Sequence, residues 1–288
     1  MLKSKKSVAA VSLPVIESSL PVPLPGRDYT LKLPKGHLSH SQIEQYLGCG
    51  EQYRRNYVLG EPRRVSDSLA EGQAWHSLMR ETNTTKLTKG KHITIRRAED
   101  FHEGYCHLEA EKVDDWQGSN VKDWIKRGEK FIADLWKNDG PIYEPVVMPD
   151  GKPGVEWETR IEIAGVPIVV ISDLVEADCV VDYKVAGDAS RYDSMKSNQI
   201  AINQIATGKN CGLFEVFEKR SGRKRVISSK RTVEQCLRWM EFVVSHVAMG
   251  ISNGVFLPTD PMKNTLCDVR WCNYFKTCRG ACNNGTNC

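Results

Sequence analysis

Residues 166–185 read VPIVVISDLVEADCVVDYKV. β-Branched residues dominate both halves, which predicts two antiparallel strands joined by the two-residue loop Ala177–Asp178. Symmetry about that loop sets the register: Glu176 opposes Cys179, and counting three positions outward puts Asp173 opposite Asp182 on one face. Lys184 shares that face because strand side chains alternate. Like charges facing each other on paired strands are destabilising, so two carboxylates inside apolar runs call for a cation. Oxygen-only donors suit Mg²⁺ or Mn²⁺, and a neighbouring ammonium suits charge developing on a phosphoryl group. The chemistry that follows is metal-assisted phosphodiester hydrolysis. An exposed Asp-x-Lys ion pair accounts for the same spacing without any chemistry.

Strand patterning extends backward through IYEPVVM and VEWETRIEIAG, so a meander of three or four strands begins near residue 141. A helix is expected over 192–207, then a hairpin of CGLFEVFEK and KRVISSK around Ser221–Gly222, then a long amphipathic helix in TVEQCLRWMEFVVSHVAMGI. Ahead of the meander, SHSQIEQYLGCGEQYRRNYVL predicts a helix capped by Ser39 or Ser41 and interrupted at Gly48–Cys49–Gly50. Further helices are expected over 68–80, 97–113 and 120–138. This order gives an α/β, or mixed α+β, architecture with a central sheet flanked by helices. The prolines of LPVIESSLPVPLPG deny helix and ladder, so residues 1–36 are expected as a flexible leader. Residues 37–288 then form one domain: helices over about 39–138, a core over about 141–253 and a cysteine-rich tail over 258–288.

The chain has 288 residues, 40% of them hydrophobic, which is enough for a sizeable core. Its net charge of +4 is mild, but KRSGRKR at 219–225 concentrates positive charge, as either a polyanion contact or a solvated hairpin tip. No apolar run is long enough to span a bilayer. MLKSKKSVAAVSLPVI starts like a secretory signal, yet its apolar part is short, carries Ser12 and Pro14, and leads to no small-residue cleavage site. Five of the ten cysteines fall at Cys267, Cys272, Cys278, Cys282 and Cys288, a density that demands cross-links or a metal. Disulfides, with glycosylation at Asn83 and Asn284, would suit a secreted chain; zinc or iron-sulfur ligation would suit a cytosolic one. Cys106, Cys179, Cys211 and Cys236 read as buried small residues.

The succession GQAWH, ISDLV, VVDYK and QIAIN resembles the PD-(D/E)XK nuclease superfamily, in its RecB-like branch that includes CRISPR-associated iron-sulfur exonucleases. The resemblance implies a restriction-endonuclease-like core in which His76, Asp173, Asp182 and the Tyr183 carbonyl hold metal. It implies Lys184 as the catalytic lysine and Gln199 as a residue that orients it or contacts DNA. Two positions depart from the pattern: Asn203 stands where a tyrosine is usual and Ser172 where a glycine is common. Glu158, on the preceding strand, is read as part of a solvated face.

The resemblance reaches both ends. SHSQIEQYLGCGEQYRRNYV and CDVRWCNYFKTC are similar to segments that supply one and three cysteines to a [4Fe-4S] cluster, which implies Cys49, Cys267, Cys272 and Cys278 as ligands. Cys282 or Cys288 could replace Cys267, and Zn²⁺ accepts the same four thiolates. The implied activity is that of a Mg²⁺- or Mn²⁺-dependent deoxyribonuclease, an exonuclease on single-stranded ends. It would act in DNA end processing, recombination or repair, in a phage or CRISPR setting, within the cytoplasm, alone or in a larger nuclease or recombination complex. Arg54, Arg55, Lys219, Arg220, Arg223, Lys224 and Arg225 are the candidate phosphate contacts. The alternative is a non-catalytic nucleic-acid-binding module stabilised by zinc or a cluster.

Overall fold

The computed structural model describes residues 32–137, 141–260, 267–269 and 272–278. Strands β1 (Leu38–Ser39), β2 (Val155–Ile163), β3 (Val166–Val175), β4 (Cys179–Ala186), β5 (Cys211–Glu218) and β6 (Arg223–Ser229) form one mixed sheet. β2 and β3 make a hairpin closed at Ile163↔Val166, while β4 and β5 run parallel and β5 and β6 antiparallel. Between β3 and β4, Leu174 pairs with Val181 and Val175 with Val180, and the Glu176 N–H donates to the Cys179 carbonyl at 2.8 Å. That is the register set by the two-residue loop, and it places Asp173 across from Asp182. β2 occupies one edge of β3, so β1 and β4 share the other: β1 at Ile168 and Val169, β4 at Leu174 and Val175.

Helices cover both faces. On one, α3 (Asp67–Lys89), α4 (Ile95–Ala110) and α5 (Val121–Leu135) enclose Trp75, Phe131, Val181, Tyr183 and Phe217. On the other, α1 (His40–Gly48), α2 (Gly50–Tyr53), α6 (Asn198–Thr207) and α7 (Val233–Ser252) enclose Ile43, Tyr53, Val180, Ile202, Met240 and Val244. The helix starts follow local chemistry. Ser39, Ser66, Thr94, Asn120, Ser197 and Thr232 each accept a backbone N–H of the first turn, and Asn120–Asp123 and Thr232–Gln235 complete capping boxes.

Two glycines are spacing devices. A Cβ on Gly212 of β5 would lie 2.4 Å from Ile200 Cγ2, so glycine lets α6 seat directly on the sheet. A Cβ on Gly50 would meet the Leu257 backbone at 2.8 Å, and the Gly50 N–H donates to the Leu257 carbonyl at 2.8 Å. The interruption at Gly48–Cys49–Gly50 thus brings Cys49 beside the segment that leads into the C-terminal cysteines.

Several expectations are corrected. IYEPVVM forms isolated bridges, Pro145↔Glu176 and Val147↔Pro153, instead of a strand, since Pro145 has no N–H for a ladder. α3 runs nine residues beyond Arg80, and the helix expected from 192 starts at Asn198, where Ser197 caps it. Cys179 and Cys211, expected as buried small residues, are half-buried and form a disulfide with Cα atoms 4.6 Å apart. They are directly paired at the starts of parallel β4 and β5, so their side chains point the same way. Of the leader, residues 1–31 lie outside the described residues, while Leu33 is buried in the core beneath α7.

Candidate active site

β3 and β4 part company at the two aspartates. In the antiparallel alternation, Tyr183 should donate its N–H to the Ser172 carbonyl; it donates instead to Asp173 Oδ2 at 2.7 Å. A side-chain acceptor has replaced a ladder acceptor, and the strands fork. At the fork, Lys184 Nζ lies 2.6 Å from Asp182 Oδ2, and Gln199 from the first turn of α6 donates to Asp182 Oδ1. His76 arrives from α3 with Nδ1 3.4 Å from Asp173 Oδ2. Behind them, Asn83 donates to the buried Tyr183 hydroxyl at 2.9 Å, so Tyr183 braces the fork by its ring and its N–H.

The fork opens into a cavity of about 590 Å³ whose wall includes Ser39, His40, Ser41, His76, Arg80, Glu156, Asp173, Lys184, Gln199 and Asn203. It lies beside Val170 and Ile171, on the stretch of the β3 edge that neither β1 nor β4 covers.

The electrostatics are those of a site short of positive charge. Burial raises the Asp182 carboxyl to about 6, Asp173 adding to the rise while Lys184 opposes it. Burial and Asp173 raise Glu156 to about 7. Burial would also raise Asp173, but His76, Lys184 and the Tyr183 N–H outweigh it and hold Asp173 below the usual range. The same contact works on His76: burial alone would lower it, yet Asp173 brings it up to about 9. A divalent cation among these oxygens would favour the charged carboxylates and the neutral imidazole, and the donor set of one imidazole and carboxylates is suited to one.

The expected metal set is brought together only in part. His76 and Asp173 belong to a trio with Glu156, whose candidate ligand atoms all lie within 4.8 Å of one another. Asp182 is held away by Lys184 and Gln199, and what Tyr183 shows at the fork is its N–H. Glu158 is exposed, as read from the sequence, and Glu156 is the carboxylate that reading missed. Arg80 was also missed, although its place one turn after His76 on α3 signals a shared face.

Most of the proposed phosphate contacts have internal partners. Lys219 Nζ lies 2.5 Å from the buried Glu71, and Lys224 Nζ 2.9 Å from the buried Glu215. Arg54 and Arg55 grip Glu51 at 2.7 and 3.0 Å, and Arg55 also donates to the Thr277 carbonyl. Arg225 sits 4.0 Å from Glu218; Arg220 and Arg223 are exposed near the β5–β6 turn. None of these seven lines the 590 Å³ cavity.

Cys49, Cys267, Cys272 and Cys278 line one small cavity with Arg55 and Tyr274. Burial raises the Cys267 and Cys272 thiols, and the other cysteines raise them further. Cys267 and Cys272, whose ionisation their neighbours oppose, belong to a four-cysteine donor set suited to a metal. Cys282 and Cys288 lie outside the described residues.

A search of curated proteins finds no match. Among solved structures, a "Putative exonuclease" from Eubacterium rectale is 16% identical, with 80% of this chain and 86% of that chain covered and a TM-score of 0.52. That likeness is one of fold. SSO0001 is 11% identical, with 84% of this chain and 95% of that one covered, at a TM-score of 0.36. The model of the PD-(D/E)XK nuclease superfamily matches residues 37–279, from just before β1 to just past Cys278. With the match covering all but the ends of its 288 residues, the chain belongs to the PD-(D/E)XK nuclease superfamily.

Proposed function

We propose that the chain hydrolyses DNA phosphodiester bonds in a reaction that depends on Mg²⁺ or Mn²⁺, working as an exonuclease on single-stranded ends. The observation that carries this reading is the fork, where Asp173 and Lys184 line a cavity large enough for a nucleotide and Lys184 reaches back to the buried Asp182 opposite Asp173. A divalent ion held by Asp173 with Asp182 or His76 would supply positive charge at the scissile phosphate and favour ionisation of an attacking water. Lys184 places an ammonium beside the reacting oxygens, and Gln199 keeps Asp182 in position. Arg80, exposed on the cavity wall, is placed to take a phosphate. Exonuclease action is supported by the description of the Eubacterium rectale neighbour, and single-stranded ends by the RecB-like order of motifs.

The test uses end-labelled single-stranded, duplex and circular DNA with Mn²⁺. Asp182→Ala and Lys184→Ala are expected to lower cleavage at least about 10²-fold while DNA binding persists. Undiminished cleavage by both variants would sink the reading in favour of a non-catalytic binding module, and cleavage of circles would replace exo with endo action.

We further propose that Cys49, Cys267, Cys272 and Cys278 hold a [4Fe-4S] cluster. Zn²⁺ is the second reading, favoured by a cavity of only about 20 Å³. Protein purified without oxygen is expected to be brown and to carry four irons per chain; one zinc and no iron would select the second reading.

A further inference from the structure

Residues 179–211 comprise β4, the crossover helix α6 and the first residue of β5, and the Cys179–Cys211 disulfide joins the two ends of that run. Asp182 and the two groups that hold it, Lys184 and Gln199, lie inside this covalent ring, whereas His76 and Asp173 lie outside it. Neither cysteine lines the cavity. Cys179 stands three residues before Asp182, about 10 Å along a strand, and alternation turns it with Val181 toward α3–α5, on the face opposite α6. The bridge therefore bears on the site through the backbone that it ties.

The bridge is within reach of reagents. Cys179 and Cys211 are half-buried, unlike the fully buried Cys106 and Cys236, and they adjoin the exposed Ala177, Asp178 and Asn210. Exchange requires that an attacking thiolate reach one of the two sulfurs. Opening the bridge does not require unfolding the sheet: β4 and β5 stay paired from Val180↔Gly212 to Ala186↔Glu218, and Lys209 Nζ donates to the Ala177 carbonyl beside the bridge. What reduction removes is closure of the ring, and with it a constraint on the crossover. Gly208 caps α6 three residues before Cys211, so only a short link separates the bridge from the helix whose first turn carries Gln199.

We propose that Cys179–Cys211 is a thiol–disulfide exchange site through which a dithiol reductant lowers the activity of the fork. The proposal rests on reading the fork as a hydrolytic site. One thiolate of the dithiol attacks a sulfur of the bridge, the S–S bond breaks, and the other sulfur leaves as a thiolate that takes a proton. The second thiolate of the reagent then displaces the remaining cysteine, which is protonated in turn. The chain gains two electrons and two protons as two thiols, and the dithiol is oxidised to its cyclic disulfide. With the ring open, α6 holds Gln199 less firmly against Asp182, and Asp182 loses the orientation that its amide partner gives.

The full chain is compared under argon before and after equilibration with dithiothreitol, with maleimide labelling and mass analysis to read whether Cys179 and Cys211 are free thiols. The oxidised wild type is expected to cleave end-labelled single-stranded DNA at least about 5-fold faster than the reduced form, with DNA affinity unchanged. Reduction is expected to lower the unfolding midpoint by about 5 °C or more. Cys179→Ser and the double variant Cys179→Ala with Cys211→Ala are expected to cleave at the reduced rate in both conditions. Gln199→Ala is expected to cleave more slowly and equally in the two states, since the effect passes through Gln199. Failure of dithiothreitol to expose Cys179 and Cys211 in the folded chain, or a response to it that persists in Cys179→Ser and so belongs to other cysteines, would overturn the proposal. Failure of the two readings is separable: no cleavage in either state removes the nuclease reading and this one with it, whereas equal cleavage by wild type in both states removes this one alone.

Discussion

The carboxylate fork and the cysteine cavity are both clusters of metal-ready donors, but they are assembled in opposite ways. The fork takes Asp173 and Asp182 from two strands joined by a two-residue loop, and their positions follow from one register. The cavity takes Cys49 from the N-terminal helices and Cys267, Cys272 and Cys278 from the far end of the chain. Among the described residues, Arg55 also donates to Thr277, the Tyr274 hydroxyl donates to Asn56, and the Arg55 guanidinium lies over the Tyr274 ring. A metal at donors already held by a sheet would serve chemistry, whereas one at donors brought from distant parts of the chain would serve closure.

The largest expected effect separates these roles. On the proposed reading, Cys272→Ser should abolish metal binding by the cysteines and lower Tm by about 5 °C or more, the shift that about 2 kcal/mol gives a chain of this size. Asp182→Asn should change Tm by less than about 2 °C in EDTA, because Asn can still accept from Gln199 and the sheet does not depend on the charge. Thermal unfolding of both variants, with metal analysis of each, checks the contrast. Equal losses of Tm would mean that the fork is as structural as the cysteines.

A smaller effect distinguishes buried cations from those facing the cavity. Removing Lys219 leaves Glu71 buried with only Arg127, 2.6 Å away, so Lys219→Ala should cost about 1–3 kcal/mol and leave DNA affinity unchanged. Arg80→Ala should leave stability within about 0.5 kcal/mol and reduce the salt dependence of single-strand binding by about one phosphate contact. Urea unfolding and affinity measured across salt concentrations would show it. A Lys219 variant that folds normally but binds DNA weakly would return the β5–β6 hairpin to the interface.

How much of this was legible beforehand follows the range of the interactions. The opposed aspartates could be counted from the loop, because a two-residue connection leaves one register. The helix starts were legible where a Ser, Thr or Asn can reach back to the first turn. Glu156 was not, since its place depends on a left-handed residue that reverses the facing of β2, and alternation alone favours neither Glu156 nor Glu158. The Cys179–Cys211 pairing needs the parallel register of β4 and β5, which the intervening α6 crossover sets and no short-range pattern announces. KRSGRKR looked like a free basic patch because Glu71 and Glu215, which neutralise two of its members, reach them only through the tertiary fold.

The smallest expected effect asks whether burial alone, with no cation in prospect, suffices to shift an ionisable group. His102 on α4 is buried against Trp75 and the Cys106 thiol, and its ring fills the place where Gly128 lacks a Cβ. Burial alone lowers its pKa from 6.5 to about 4. Between those values the unfolded chain binds a proton that the folded chain does not, so stability falls as the pH drops from 6.5 toward 4. The slope from this one residue is at most about 1.4 kcal/mol per pH unit. His102→Leu should remove that part of the slope, read from urea midpoints at several pH values in this window. The increment should be the same with Mn²⁺ as with EDTA, since among the described residues His102 belongs to no group of three or more metal-ligating side chains. A Mn²⁺-dependent increment would show that the helical layer and the fork titrate as one unit, which would dissolve the distinction between donors held by the sheet and groups that are merely buried.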